Sequence, residues 1–138
     1  MRPMRQAILA ALLLALAAPA AAEDRSIGIT PDQIEWAQVK NLGEAVVLLG
    51  DPRRRGPYVV RLNVPPNTAT SAHSHPQDES VTVISGWIGF GLGSVVDRAK
   101  GRVLPAGSFL HLPARTLHFA WTGPEGAVIQ AHGNGPFP

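Results

Sequence analysis

Cysteine is absent from all 138 residues. That excludes disulfides as a source of stability and thiolates as metal ligands, so any metal must be held by histidine and carboxylate. Nucleophile signatures are missing too: there is no G-x-S-x-G run and no paired-carboxylate pattern, and covalent hydrolysis has no support. No organic-cofactor motif occurs. Long apolar runs are confined to the N-terminus, where Arg2 and Arg5 precede Ala7 to Ala18 and Ala20-Ala21-Ala22 stands before Glu23. The pattern reads as a signal peptide over residues 1–22, cleaved near Ala22, which predicts a periplasmic or secreted protein. Twelve apolar residues fall short of the ~20 that span a bilayer, so no stable membrane anchor is expected after cleavage. Cleavage removes two of the 12 lysines and arginines and leaves 10 against 10 acids. A near-neutral chain gives no reason to expect a nucleic-acid partner.

What remains, residues 23–138, is expected to be one domain with 45% hydrophobic residues in the whole chain to supply a core. A lead-in to Val39 carries Thr30-Pro31-Asp32, the chemistry of a helix start, followed by Ile34 and Trp36. From Glu44 onward the pattern is β-type. Apolar runs and alternation predict strands at Ala45 to Leu49, Tyr58 to Val64, Ser80 to Ile84 and Trp87 to Leu92. Further strands are predicted at Arg102 to Leu104, Ser108 to Leu112, His118 to Trp121 and Val128 to His132. With 14 Gly and 13 Pro marking the gaps, many short strands favour a sandwich or barrel. Arg53-Arg54-Arg55 lies between Pro52 and Pro57 and is read as a solvated turn. Gly86, Gly89, Gly91 and Gly93 do not make a phosphate loop, since Ser94 stands where its last glycine should be and no helix is predicted after it. They mark a turn and places of close backbone approach.

The chemistry is concentrated in His73-Ser74-His75-Pro76-Gln77-Asp78-Glu79. On an extended chain, residues two apart share a face, so both imidazoles point one way. Pro76 holds His75 to extended backbone angles, and the turn that follows can return Glu79 beside them. Two imidazoles and a carboxylate suit one divalent transition metal: iron, manganese, zinc, nickel or copper. Later, Pro105-Ala106-Gly107 and Pro113-Ala114-Arg115-Thr116-Leu117-His118 give a turn, a strand, a second turn and a histidine opening the next strand.

With both segments in view the chain resembles the cupin superfamily, and within it the small bacterial single-domain cupins of the cupin type-2 kind. Its motifs are G-x5-H-x-H-x3or4-E-x6-G and G-x5-P-x-G-x2-H-x3-N. His73, His75, Glu79 and Gly86 match the first; Gly107, Pro113 and His118 match the second. Asn67, Arg115 and Thr122 depart from it. Asn67 stands for a glycine that Asn can mimic in left-handed angles, whereas the β-carbon of Arg115 predicts a different local backbone. The resemblance spans roughly Tyr58 to His132. It implies an all-β, single-domain jelly-roll β-barrel, its core about residues 44–132, with His73, His75, Glu79 and His118 around one ion. A small-molecule ligand or substrate and a homodimer are the expected partners. Gln130 and His132 share strand parity and, if that face is inward, serve as second-rank polar or proton-transfer groups near the ion. His111 and Trp121 are further candidates, while Phe90 and Phe119 are expected in the core or pocket wall. Two functions are open: a dioxygenase-like or isomerase-like metalloenzyme acting on a small organic molecule, or a metal-dependent binding or sensing module.

Overall fold

A computed structural model describes residues 25–137; the segment read as a signal peptide lies outside them. Thr30 opens a 3-10 turn at Pro31–Gln33, and Gln33 Oε1 accepts from both the Thr30 amide and its hydroxyl at 2.9 Å. The fold then runs β1 (Ala37–Val39), β2 (Gly43–Leu49), β3 (Gly56–Val64), β4 (Glu79–Leu92), a second 3-10 turn (Arg98–Lys100), β5 (Arg102–Pro105), β6 (Phe109–Leu112) and β7 (His118–Gly135). It is all-β and wholly antiparallel, a jelly-roll arrangement. The sheet follows the order β1-β2-β3-β7-β4-β5, with β6 also on β4. The expected barrel therefore does not close by hydrogen bonding: β1 and β5 end the path.

The four strands expected at 80–84, 87–92, 118–121 and 128–132 are two long ones. β4 and β7 pair twice, first from Glu79↔Gly133 to Gly86↔Ala127, then from Ile88↔Thr122 to Leu92↔His118. Between the two stretches both strands bend, and residues 123–126 of β7 have no counterpart on β4. Gly86 makes the bend feasible at φ +66°, where a β-carbon would strike the Gly126 carbonyl. One half of the pair joins β3 and β6, and the other joins β5. The segment 67–73 also joins that second half, through bridges Ala69↔Trp121 and His73↔His118.

Alternation sorts the side chains between the halves. Val60, Val81, Ile129 and Ala131 from one, and Ile88, Phe90 and Ala120 from the other, face a common interior cavity of about 360 Å³. On the far side of β7, Phe119 and Trp121 stack with centroids 6.0 Å apart. Their rings lie where β-carbons on Gly91 and Gly89 would be, which is why these strand positions carry glycine. The arginine run is a turn, as expected: Arg53 and Arg54 reach Asp51 at 3.0 and 3.7 Å.

Candidate metal centre

The backbone brings together four residues from separate parts of the chain. Glu79 is the first residue of β4 and His118 the first of β7. His73 pairs with His118 by two reciprocal amide–carbonyl bonds of 2.9 Å. His75 lies one extended step on, its carbonyl accepting from the Arg115 amide at 2.7 Å. Arg115 itself has φ +63° and Asn67 φ +53°. The backbone different from a glycine turn, expected from Arg115's β-carbon, is thus not found: the left-handed turn is kept in spite of it. What compensates is the bond to His75, which ties the turn to the histidine segment. Thr122, at the other departure, donates its hydroxyl to the Pro65 carbonyl at 2.7 Å and accepts from the Thr68 amide at 3.0 Å. It thereby fastens the segment leading to His73 against β7.

His73, His75 and His118 offer ring nitrogens that all lie within 4.8 Å of one another, and their ring centroids are 4.3 to 5.3 Å apart. Nδ1 of His73 sits 2.8 Å from the Ser71 carbonyl, and Nδ1 of His118 sits 2.9 Å from the Thr116 carbonyl. A carbonyl can only accept, so each Nδ1 carries the proton and each Nε2 presents a lone pair. This is how metal-ligating histidines are held. Burial, and then the neighbouring His73 and His118, push the His75 pKa down to about 4. Burial lowers that of His118 as well. His75 and His118 are therefore neutral at neutral pH, and the three histidines are positioned to bind a metal ion.

Glu79 Oε2 stands 3.4 Å from His75 Nε2. The carboxyl is only 9% exposed, and desolvation raises its pKa to about 7. Such a contact is not an ordinary ion pair, because burial disfavours the charge on both groups. The donor atoms that group together are those of the three histidines, and Glu79 adjoins the group through His75; imidazoles of this kind fit a divalent transition ion.

The remaining expectations sort differently. Gln130 and His132 share a face, but it is the outer one: their neighbours Ile129 and Ala131 line the cavity. Gln130 accepts from Arg61 at 2.8 Å instead, and His132 stands opposite Ser80 and Val59. His111 meets the Ser80 hydroxyl at 2.9 Å on the same outer face. Trp121 packs behind β7, while Phe90 lines the cavity with its ring 6.1 Å from that of His118. Two residues that sequence reasoning missed belong to the site. Tyr58, 1% exposed, lines the cavity. Phe137 packs its ring against that of His75, tilted by 34° with centroids 4.3 Å apart, its amide bonded to the Pro52 carbonyl. Tyr58 was discoverable as the inward phase of an alternating strand; Phe137 follows the last strand and carries no pattern.

The model of the ChrR cupin-like domain matches residues 24–138. The chain belongs to that family. Solved structures agree on the cupin fold. The polyketide cyclase RemF from Streptomyces resistomycificus matches with a TM-score of 0.66 at 18% identity, over 82% of each chain. An RmlC-like cupin from Shewanella frigidimarina NCIMB 400 gives 0.62 at 17%, over 77% of this chain and 87% of the other. KdgF from a Halomonas species gives 0.61 at 17%, over 78% and 93%. No curated protein sequence matches. In this cupin the three-histidine cluster opens on an apolar interior, and the site and the cavity are continuous.

Proposed function

We propose that this cupin works in the periplasm or after secretion, holds one divalent transition ion between His73, His75, His118 and Glu79, and receives a small organic molecule against it. The observation that carries the reading is the pair of Nδ1 contacts to the Ser71 and Thr116 carbonyls, which leaves two Nε2 lone pairs free within a cluster whose ligand atoms lie within 4.8 Å of one another. The basic, apolar and small-residue order of residues 1–22 supports the location.

When bound, the ion would supply Lewis-acid polarisation and a template, with about two positions left open if it is six-coordinate. This chain's own residues would do the rest. The two carbonyls hold the imidazole planes, Glu79 offsets charge, and the walls of the cavity exclude water. Dioxygenase-like or isomerase-like catalysis is the first form of this function. A binding or sensing role without turnover is the second. The outward turn of Gln130 and His132, the groups expected to transfer protons, favours it.

The test is metal content after expression of the full chain, followed by nitric oxide added to the ferrous form and spin resonance. A nitrosyl signal demands an open position; stoichiometric zinc with no such signal would exclude the oxygenase form. His75→Ala is expected to lose most bound metal and Arg54→Ala to keep it, and equal retention in both would refute the site.

A further inference from the structure

Strand register orders the walls of the cavity in layers. At the histidine end Tyr58 and Glu79 stand opposite Gly133 of β7; two residues along, Val60 and Val81 oppose Ala131; two further, Leu62 opposes Ile129. The facing half runs in step, from His73 and His118 to Ala120 beside Phe90 and then to Ile88. All of these except Gly133 line one cavity of about 360 Å³. A strand advances about 3.3 Å per residue, so the step from Tyr58 to Leu62 gives the cavity a length of about 13 Å. Beyond Leu62 and Ile129 the space continues as a smaller cavity of about 80 Å³, to which Val64 and Trp121 are added.

Polarity is confined to one end of this slot. Among the described residues, no lysine, arginine, asparagine or glutamine lines it, and its one acid is Glu79. The Thr70 hydroxyl is taken up by β7, accepting from the Ala120 amide at 3.0 Å and donating to the Ala120 carbonyl at 3.4 Å. The Tyr58 hydroxyl is buried against Gly133, out of an occupant's reach. The groups free to meet a polar atom are thus those of the histidine and glutamate cluster. From there to Ile129 the walls offer apolar surface, against which a hydroxyl or a charge would lose its hydration without gaining a partner. Val60, Leu62, Leu110 and Ile129 are only part-buried, so an apolar occupant would cover surface that the fold leaves wet.

We propose that the cavity takes an elongated molecule with a single polar head, held at the histidine cluster, and an apolar tail lying along the strands toward Leu62 and Ile129. The inference rests on the cavity being the ligand site of the proposed metal centre. A cavity that holds benzene measures about 150 Å³. On that scale this one accommodates roughly a dozen non-hydrogen atoms, the size of decanoate. Sugar acids and dicarboxylates are disfavoured by the same walls, since their outlying hydroxyls or second charge would lie against aliphatic side chains.

The test uses the full chain, with metal content measured in every sample, and calorimetric titration of hexanoate, octanoate and decanoate, with octanedioate as the two-headed control. Affinity is expected to rise about fourfold for each methylene added from hexanoate to decanoate. Octanedioate should bind at least about tenfold more weakly than octanoate, because its second carboxylate would lie near Leu62 and Ile129. Ile129→Phe narrows the tail end and should weaken decanoate about tenfold while changing hexanoate less than about twofold. Leu62→Asn should do the same by polarity rather than bulk, and it stands in where Ile129→Phe fails to give the native circular dichroism.

Equal affinity along the series overturns the proposal, as does octanedioate binding as tightly as octanoate. So does a folded variant that weakens hexanoate and decanoate alike, or decanoate affinity unchanged in both variants. Failure of the metal reading looks different: no sample holds metal, and the rise of affinity with chain length remains.

Discussion

If Glu79 is a ligand as proposed, it couples metal binding to pH. Its carboxyl, raised by burial from 4.5 to about 7, keeps a proton in the folded chain that the unfolded chain has already released. Between those values the folded state binds more protons, so Glu79 makes the metal-free protein less stable as pH rises through the window. His75, lowered from 6.5 to about 4, acts the other way over an overlapping range, because there the unfolded chain holds the extra proton. Comparison of variants separates the two. Metal-free Glu79→Gln is expected to melt higher than the wild type at pH 8 and no higher at pH 4, measured by circular dichroism. A ligand must shed its proton, so wild-type metal affinity should rise about tenfold per pH unit up to pH 7 and then level. Glu79→Gln should lose that slope in a chelator-competition titration. At this scale His73, His75, Glu79 and His118 were readable as candidates because ligand chemistry depends on residue type and spacing. The inward position of Tyr58 was readable from strand alternation, but its lack of a hydrogen-bond partner was not, because that depends on what surrounds the hydroxyl.

Each element bends or turns where its backbone is under constraint, and two positions make opposite predictions. Arg115 occupies left-handed angles that cost an L-residue about 1–2 kcal/mol. Arg115→Gly is expected to gain about 0.5–1 kcal/mol after the added flexibility of the unfolded chain is subtracted, seen as a higher denaturation midpoint. Gly86→Ala should do the reverse and lose more than about 2 kcal/mol, since the new β-carbon meets the Gly126 carbonyl as well as an unfavourable φ. Alternation also explains what was misjudged among the strands. The segments 80–84 and 87–92 are each legible as strands, but Ser85-Gly86 between them is equally compatible with a turn and a bulge. Only pairing with a β7 that carries four residues opposite the single Trp87 selects the bulge.

Across the whole molecule, the candidate centre joins segments that the sequence keeps far apart: residues 73–79 at the head of β4, and His118 at the head of β7. An ion bound there would bind the native chain and not the unfolded one, and so stabilise the fold by about 2.7 kcal/mol at a hundredfold excess over Kd. Calorimetric scans should therefore show Tm rising with added metal and falling with chelator, and His118→Ala should abolish that response. A Tm indifferent to metal in the wild type would contradict the centre. The open sheet edges at β1 and β5 leave the two halves joined by the bent β4–β7 pair and by the packing of apolar walls, a geometry in which such a clasp has leverage.

By itself the sequence determined the all-β class, the four candidate ligands and the fact that Gln130 and His132 share a side. Period-two alternation and motif spacing are local properties, set before any strand has a neighbour. Which side those two residues occupy was decided only by the tertiary structure. Parity leaves the sign of a face open, and β7 turns Ile129 and Ala131 inward because these supply the apolar surface that the interior needs. The same packing encloses the Tyr58 hydroxyl without a partner and lays Phe137 over His75. Both features arise where segments distant in sequence meet.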